Sequence, residues 1–107
     1  MAVSDEEIAF ATDLFSDLGE ITTRKMMGGL CLYHAGTIFA ILHGDYGIMI
    51  KGTGAFQDRL NDMGCIRWSY TRDNGKTAQM PYWRLPDSAQ DDPEEATALA
   101  REALRYL

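Results

Sequence analysis

The stretch from Arg24 to Lys51, RKMMGGLCLYHAGTIFAILHGDYGIMIK, constrains the fold more than any other. It is apolar and rich in β-formers, and it is cut by Gly28-Gly29, Ala35-Gly36 and Gly44-Asp45-Tyr46-Gly47. Breaks this short join antiparallel strands through hairpins, because a parallel crossover needs a dozen residues or more. The pattern predicts strands over Ile21 to Met27, Leu30 to His34, Thr37 to His43 and Ile48 to Lys51. Alternation along the third places Ile38, Ala40 and Leu42 on one face and Phe39 and Ile41 on the other. Both faces are apolar, so helices are expected beneath one. The other must be covered by the chain itself or by a second subunit. The second option gives the expectation of a homodimer.

Helices are expected on either side of this stretch and within the second half. Ser4 and Glu7 form a capping-box pattern, with Asp5, Glu6 and Glu7 at the positive end of the helix dipole. Ile8, Ala11, Leu14, Phe15 and Leu18 then recur at helical spacing, up to a stop at Gly19. After Gly52-Thr53-Gly54, the positions Phe56, Leu60 and Met63 predict a short amphipathic helix ended by Gly64. Ile66, Trp68 and Tyr70 alternate with Arg67, Ser69 and Thr71 as in a half-buried strand. Asp73-Asn74-Gly75 turns it into a return strand from about Lys76 to Tyr82, where Pro81 calls for an edge or a bulge. MPYWRLPDSA reads as an extended segment pinned by burying Tyr82 and Trp83. Asp92, Pro93 and Glu95 open a last helix with Ala96, Leu99, Ala100, Ala103, Leu104 and Leu107 as its buried stripe. The expected fold class is α+β, two layers, with an antiparallel sheet of five to six strands covered by helices. Its order is α-β-β-β-β-α-β-β-α, within a single domain over residues 1–107.

The residues themselves offer little chemistry. Cys31 and Cys65 fit small buried hydrophobes, with a disulfide or reactive thiol as alternatives, and neither shares a metal-ligand spacing with His34 or His43. The two histidines flank a hairpin and would form a general-base pair if they met each other or Asp45. Gly28-Gly29 reads as a turn or an anion cradle, although no helix follows to add its dipole. Arg67, Arg72, Lys76 and Arg84, near Trp68, Tyr70, Tyr82 and Trp83, resemble the mix used on single-stranded nucleic acid. Against that reading stands a net charge of −6, although residues 21–86 carry eight bases and four acids between acidic ends. No apolar run approaches a membrane span of about 20 residues, and the acidic start MAVSDEE lacks the pattern of a secretory signal. A cytoplasmic location is expected, with no metal and no cofactor.

Three stretches together resemble the TfoX/Sxy N-terminal domain family: RKMMGGLCLYHAGTIFAIL, the GIMIKG strand with the helix after it, and MPYWRLPDSAQDDPEEATALAREAL. The most specific parts are Arg24-Lys25-Met26 with Gly28-Gly29, and Tyr82-Trp83-x-Leu85-Pro86. The resemblance covers about Phe10 to Leu104. It implies a two-layer fold with an antiparallel sheet and a role in bacterial transcription and competence regulation, through protein–protein contacts and without a catalytic site. The full-length regulators carry a second, C-terminal domain that this sequence does not reach. The expected function is a non-enzymatic interaction module whose partner is a protein, with the transcription machinery as the candidate. The expected contact patch is Arg24, Lys25, Tyr82, Trp83 and Arg84. Nucleic-acid binding through the basic sheet region is the first alternative, and a small ligand-binding protein or enzyme near His34 and His43 the second.

Overall fold

The short hairpin connections oblige the first four strands to pair in chain order, and they do. The structure, a computed structural model, describes residues 3–26, 29–44 and 46–107. Its elements are α1 (Asp5–Leu14), β1 (Ile21–Met26), β2 (Gly29–His34), β3 (Thr37–His43), β4 (Gly47–Lys51), α2 (Ala55–Asp62), β5 (Arg67–Thr71), β6 (Thr77–Arg84) and α3 (Pro93–Leu104). Short 3-10 turns occupy Ser16–Leu18 and Asp87–Ala89. One six-stranded sheet results, in the order β1-β2-β3-β4-β6-β5, with every neighbouring pair antiparallel. The chain leaves β4 through α2, lays down β5 as an outer edge, and returns through β6 to pair with β4. The expected α+β class and element order are those observed.

Local chemistry explains most boundaries. The Ser4 hydroxyl accepts from the Glu7 N–H while the Glu7 carboxylate accepts from the Ser4 N–H, closing the capping box. The Asp92 carboxylate accepts from the N–H groups of Glu94 and Glu95, with Pro93 opening α3. Ala35 and Gly36 both take positive φ, 50° and 83°, which the tight β2–β3 turn demands. At the β5–β6 turn, Gly75 has φ of 82° and the Asn74 side chain accepts from the Lys76 N–H. Met27, Gly28 and Asp45, which figured in the expected first strand, glycine turn and histidine–carboxylate pair, lie outside the described residues.

The helices cover one face only. There α1, α2 and α3 bury Leu30, Leu32, Phe39, Leu42, Ile48, Ile50, Trp83 and Leu85 against Ala11, Leu14, Phe15, Phe56, Leu60 and the small residues of α3. A row of cross-strand partners, Thr23–Leu32–Ala40–Ile50–Trp83–Arg67, runs through all six strands on this side. Trp83 is fully buried, its indole N–H donates to Asn61 Oδ1 at 2.9 Å, and the Arg67 guanidinium lies 4.5 Å from the ring centroid. The Thr97 hydroxyl donates to the Leu14 carbonyl across the α1–α3 contact.

Four expectations are corrected. The β2–β3 register shifts between Leu32 and Tyr33, leaving Phe39 as an extra residue, so Phe39 joins Ala40 and Leu42 on the helix side while Ile38 and Ile41 face away. Ile66 and Tyr70 are 63% and 45% exposed, because β5 is an edge with little beyond it to cover them. Helix α1 ends at Leu14, and the 3-10 turn carries Leu18 to Gly19. Met63 and Leu107 lie largely outside the stripes assigned to them. Pro81 does fall at an irregularity, where Met80, Pro81 and Tyr82 of β6 stand opposite the single Trp68 of β5 between the Arg67 and Ser69 pairings.

Candidate interaction face of the sheet

Cross-strand partners share a face, so the register identifies everything on the side without helices. One row reads Arg24–Cys31–Ile41–Met49–Arg84 across β1, β2, β3, β4 and β6. Four inter-strand steps put its two arginines about 19 Å apart. Lys51 and Tyr82 pair in a neighbouring row. Ile41, Met49 and Tyr82 form a small second core, ringed by Met26, Cys31, Ile38, Tyr46, Trp68 and Met80.

This second core is sealed by side chains. Tyr46, in the β3–β4 connection, reaches over β6 so that its hydroxyl donates to the Ser69 carbonyl of β5 at 3.4 Å. Arg84 Nε donates to the Tyr46 carbonyl at 3.2 Å and Arg84 Nη1 pairs with Asp87 at 2.6 Å. Trp68 packs against His43, Tyr46 and Tyr82, with ring centroids 5.5, 6.3 and 6.2 Å away. Burial, followed by the neighbouring Cys31 and Tyr33, pushes the Tyr82 phenol up to about 12. Outside the sealed centre, Met26, Cys31, Tyr33 and Ile38 remain half-buried, and a hollow of about 360 Å³ opens beside Arg24 between Thr22, Tyr33 and Gly36.

The expected patch does not form as one surface. Arg24 and Lys25 lie on the edge strand β1, whereas Tyr82, Trp83 and Arg84 lie on β6, four strands across. Alternation also divides the five residues: Arg24, Tyr82 and Arg84 belong to the helix-free face, Lys25 and Trp83 to the other. Tyr82 and Trp83 are both buried, so the side chains that remain offered to a partner are Arg24, Lys25 and part of Arg84. Lys51 joins them as a base the sequence reading passed over. Its signal was its position two residues after Met49 at the end of an apolar strand, which fixes its face.

Other candidates resolve structurally. Gly29↔His43 and His34↔Thr37 are the two ends of the β2–β3 ladder, so the histidines stand apart and on opposite faces. His34 Nδ1 lies 3.0 Å from the Glu20 carbonyl, and His43 packs on Tyr46 and Trp68. Neither histidine lines any of three hollows, of about 400, 360 and 240 Å³. Gly29 is needed for close approach, since a Cβ there would meet the Leu42 carbonyl oxygen at 2.2 Å. Both cysteines are free, and burial raises the Cys65 thiol. Arg67 donates to the Met80 carbonyl and to Gln79, so it braces β6.

The sequence profile of the TfoX N-terminal domain matches residues 13–107, which include all six strands with α2 and α3. The chain belongs to the TfoX N-terminal domain family. No curated protein matches it. In this TfoX N-terminal domain the Tyr82-Trp83-x-Leu85-Pro86 segment is the seam between two cores. Tyr82 fills the helix-free one, while Trp83 and Leu85 fill the helix-covered one. Its sequence prominence follows from packing. Arg24 and Lys25, in the other prominent segment, are exposed and make no side-chain hydrogen bond or ion pair among the described residues.

Proposed function

We propose that this TfoX N-terminal domain is a non-enzymatic regulatory interaction module, acting through contact with another protein, as its family's link to competence and transcription regulators suggests. The observation that supports the reading is the helix-free face of the sheet. It has a half-buried apolar border of Met26, Cys31, Tyr33 and Ile38, with bases at Arg24, Lys51 and Arg84 around it. Burying such a border against a partner is favourable by about 25 cal/mol for each Å² of apolar surface removed from water. The surrounding bases would set register and encounter rate more than raw affinity.

Nucleic acid is the weaker reading, because its stacking platform is already used. Tyr82 is 6% exposed, and Trp68 and Tyr46 lean on each other. A tagged chain used to capture partners from its native cell extract, with and without nuclease, separates the two. A nuclease-resistant protein partner supports the module, and loss of all material on nuclease treatment refutes it. Replacing Arg24 and Lys25 together by Glu weakens capture and leaves the melting curve nearly unchanged, since both side chains are exposed.

A further inference from the structure

Charge in this chain is divided by layer. The six strands contain five bases, Arg24, Lys25, Lys51, Arg67 and Arg84, and no acidic residue. The helices and 3-10 turns contain eleven acids and two bases, a net of −9, while the connections and termini contribute −2, which with +5 from the strands gives the total of −6. Most of the acids are therefore in the helix layer, about 10 Å behind the sheet, although Asp87 reaches round to Arg84 at the edge of the helix-free face. At physiological ionic strength the screening length is about 8 Å, so a group approaching the helix-free face meets its local cations more strongly than the acidic layer behind them.

Two of those cations are uncommitted. Arg24 and Lys51 have no side-chain hydrogen bond or ion pair among the described residues, while Arg84 is partly engaged by Asp87 and the Tyr46 carbonyl. Between Arg24 and Lys51 lie the half-buried Cys31, Tyr33 and Ile38. A second copy docked through this face by a two-fold axis would set strands that hold bases and no acid against themselves, which costs like-charge repulsion. The face complements the opposite pattern.

We infer that the helix-free face docks an acidic, apolar segment of a partner polypeptide, its carboxylates reaching Arg24 and Lys51 and its apolar side chains covering Cys31, Tyr33 and Ile38. This rests on the interaction-module reading and adds the chemistry of the partner. Arg84 would take a further carboxylate only in exchange for Asp87.

The test is an amide-resolved NMR titration of the full chain at about 0.15 M salt. The probes are a short Glu/Leu peptide, its Gln/Leu counterpart and oligo-dT. Docking predicts shifts in β1, β2 and β4 with the Glu/Leu peptide and little change with Gln/Leu. Arg24→Glu with Lys51→Glu lowers the affinity about tenfold or more, and Arg24→Gln with Lys51→Gln does so less. Unchanged thermal unfolding in the Gln pair shows that the loss is not unfolding. Shifts confined to the helices, equal response to the Gln/Leu peptide, or a stronger oligo-dT response would each overturn the inference. The same Glu variant used for capture separates the two claims. A protein partner retained at wild-type level leaves the module standing and removes acidic docking; no protein partner from wild type, with peptide binding intact, removes the module.

Discussion

Gly29→Ala tests whether the glycine turn is a packing device or a spare ligand cradle. An added Cβ would lie 2.2 Å from the Leu42 carbonyl oxygen, 3.2 Å from its carbon and 3.3 Å from His43 Cα. An ordinary carbon–oxygen contact is about 3.3 Å, so β2 and β3 must part by about 1 Å at a point where both sides are backbone. Overpacking of a core costs about 1–3 kcal/mol, and a clash with paired backbone belongs at the upper end. In a domain of this size that is a fall in Tm of about 10–20 °C. Gly36 supplies the control, since it has φ of 83° and nothing within 4 Å of a Cβ. Gly36→Ala therefore carries only a left-handed backbone penalty of about 1–2 kcal/mol. Asparagine, which tolerates that conformation, should recover part of the loss at position 36 and deepen it at position 29. Thermal unfolding followed by circular dichroism reads all four variants. A Gly29→Ala variant that melts within about 2 °C of wild type would refute the packing role of Gly29.

Ala35→Asn should raise stability by about 0.5–1 kcal/mol in urea unfolding, because Ala35 holds φ of 50° in a turn that suits asparagine. Ser4→Ala should cost about 1 kcal/mol by removing half of the α1 capping box, and no change would show that α1 is not held at its start. Tyr82 holds its proton more tightly in the folded chain, at about 12 against an ordinary 10.0, so its contribution is complete below about pH 10. That contribution is lost as the pH rises from about 10 towards 12, so wild type should weaken relative to Tyr82→Phe across that range, and parallel curves would place the phenol in solvent. Trp83→Phe should cost about 2–3 kcal/mol through the void beside Gly52 and Leu60, the Asn61 side chain being exposed and free to turn to water.

Features governed by neighbours in sequence were legible. The capping box, the Asp92-Pro93 helix start and the Asn74-Gly75 hairpin each depend on a few adjacent residues. The phase of β3 did not, because Ile38, Phe39, Ala40, Ile41 and Leu42 are all apolar and every register satisfies such a run equally. The bulge that moves Phe39 to the helix side is set by its partners in β2 and by the T-shaped contact of Phe39 with Phe15, at 5.1 Å between centroids. Ile66 and Tyr70 alternated as a half-buried strand should, yet their exposure follows from the strand order, in which β5 is outermost. The contact patch scattered for the same reason. Closeness along the sequence does not show which strands lie between β1 and β6.

Tyr82 and Trp83 explain why the two faces of this sheet cannot be treated separately. As consecutive strand residues they point in opposite directions, one into each core, and Lys51 and Ile50 oppose them in the same order on β4. A shift of β6 by one residue would exchange them, placing an indole under Tyr46 and a phenol beneath the helices. The strand is held against that slip by Gly52, whose N–H donates to the Pro81 carbonyl at 3.0 Å and whose missing side chain leaves room for the Trp83 ring. The helix side is closed by whole elements packed from three directions. The other side is closed by one tyrosine and a ring of half-buried side chains, which can rearrange without undoing a helix. That asymmetry favours the helix-free face as the one on which a partner can act.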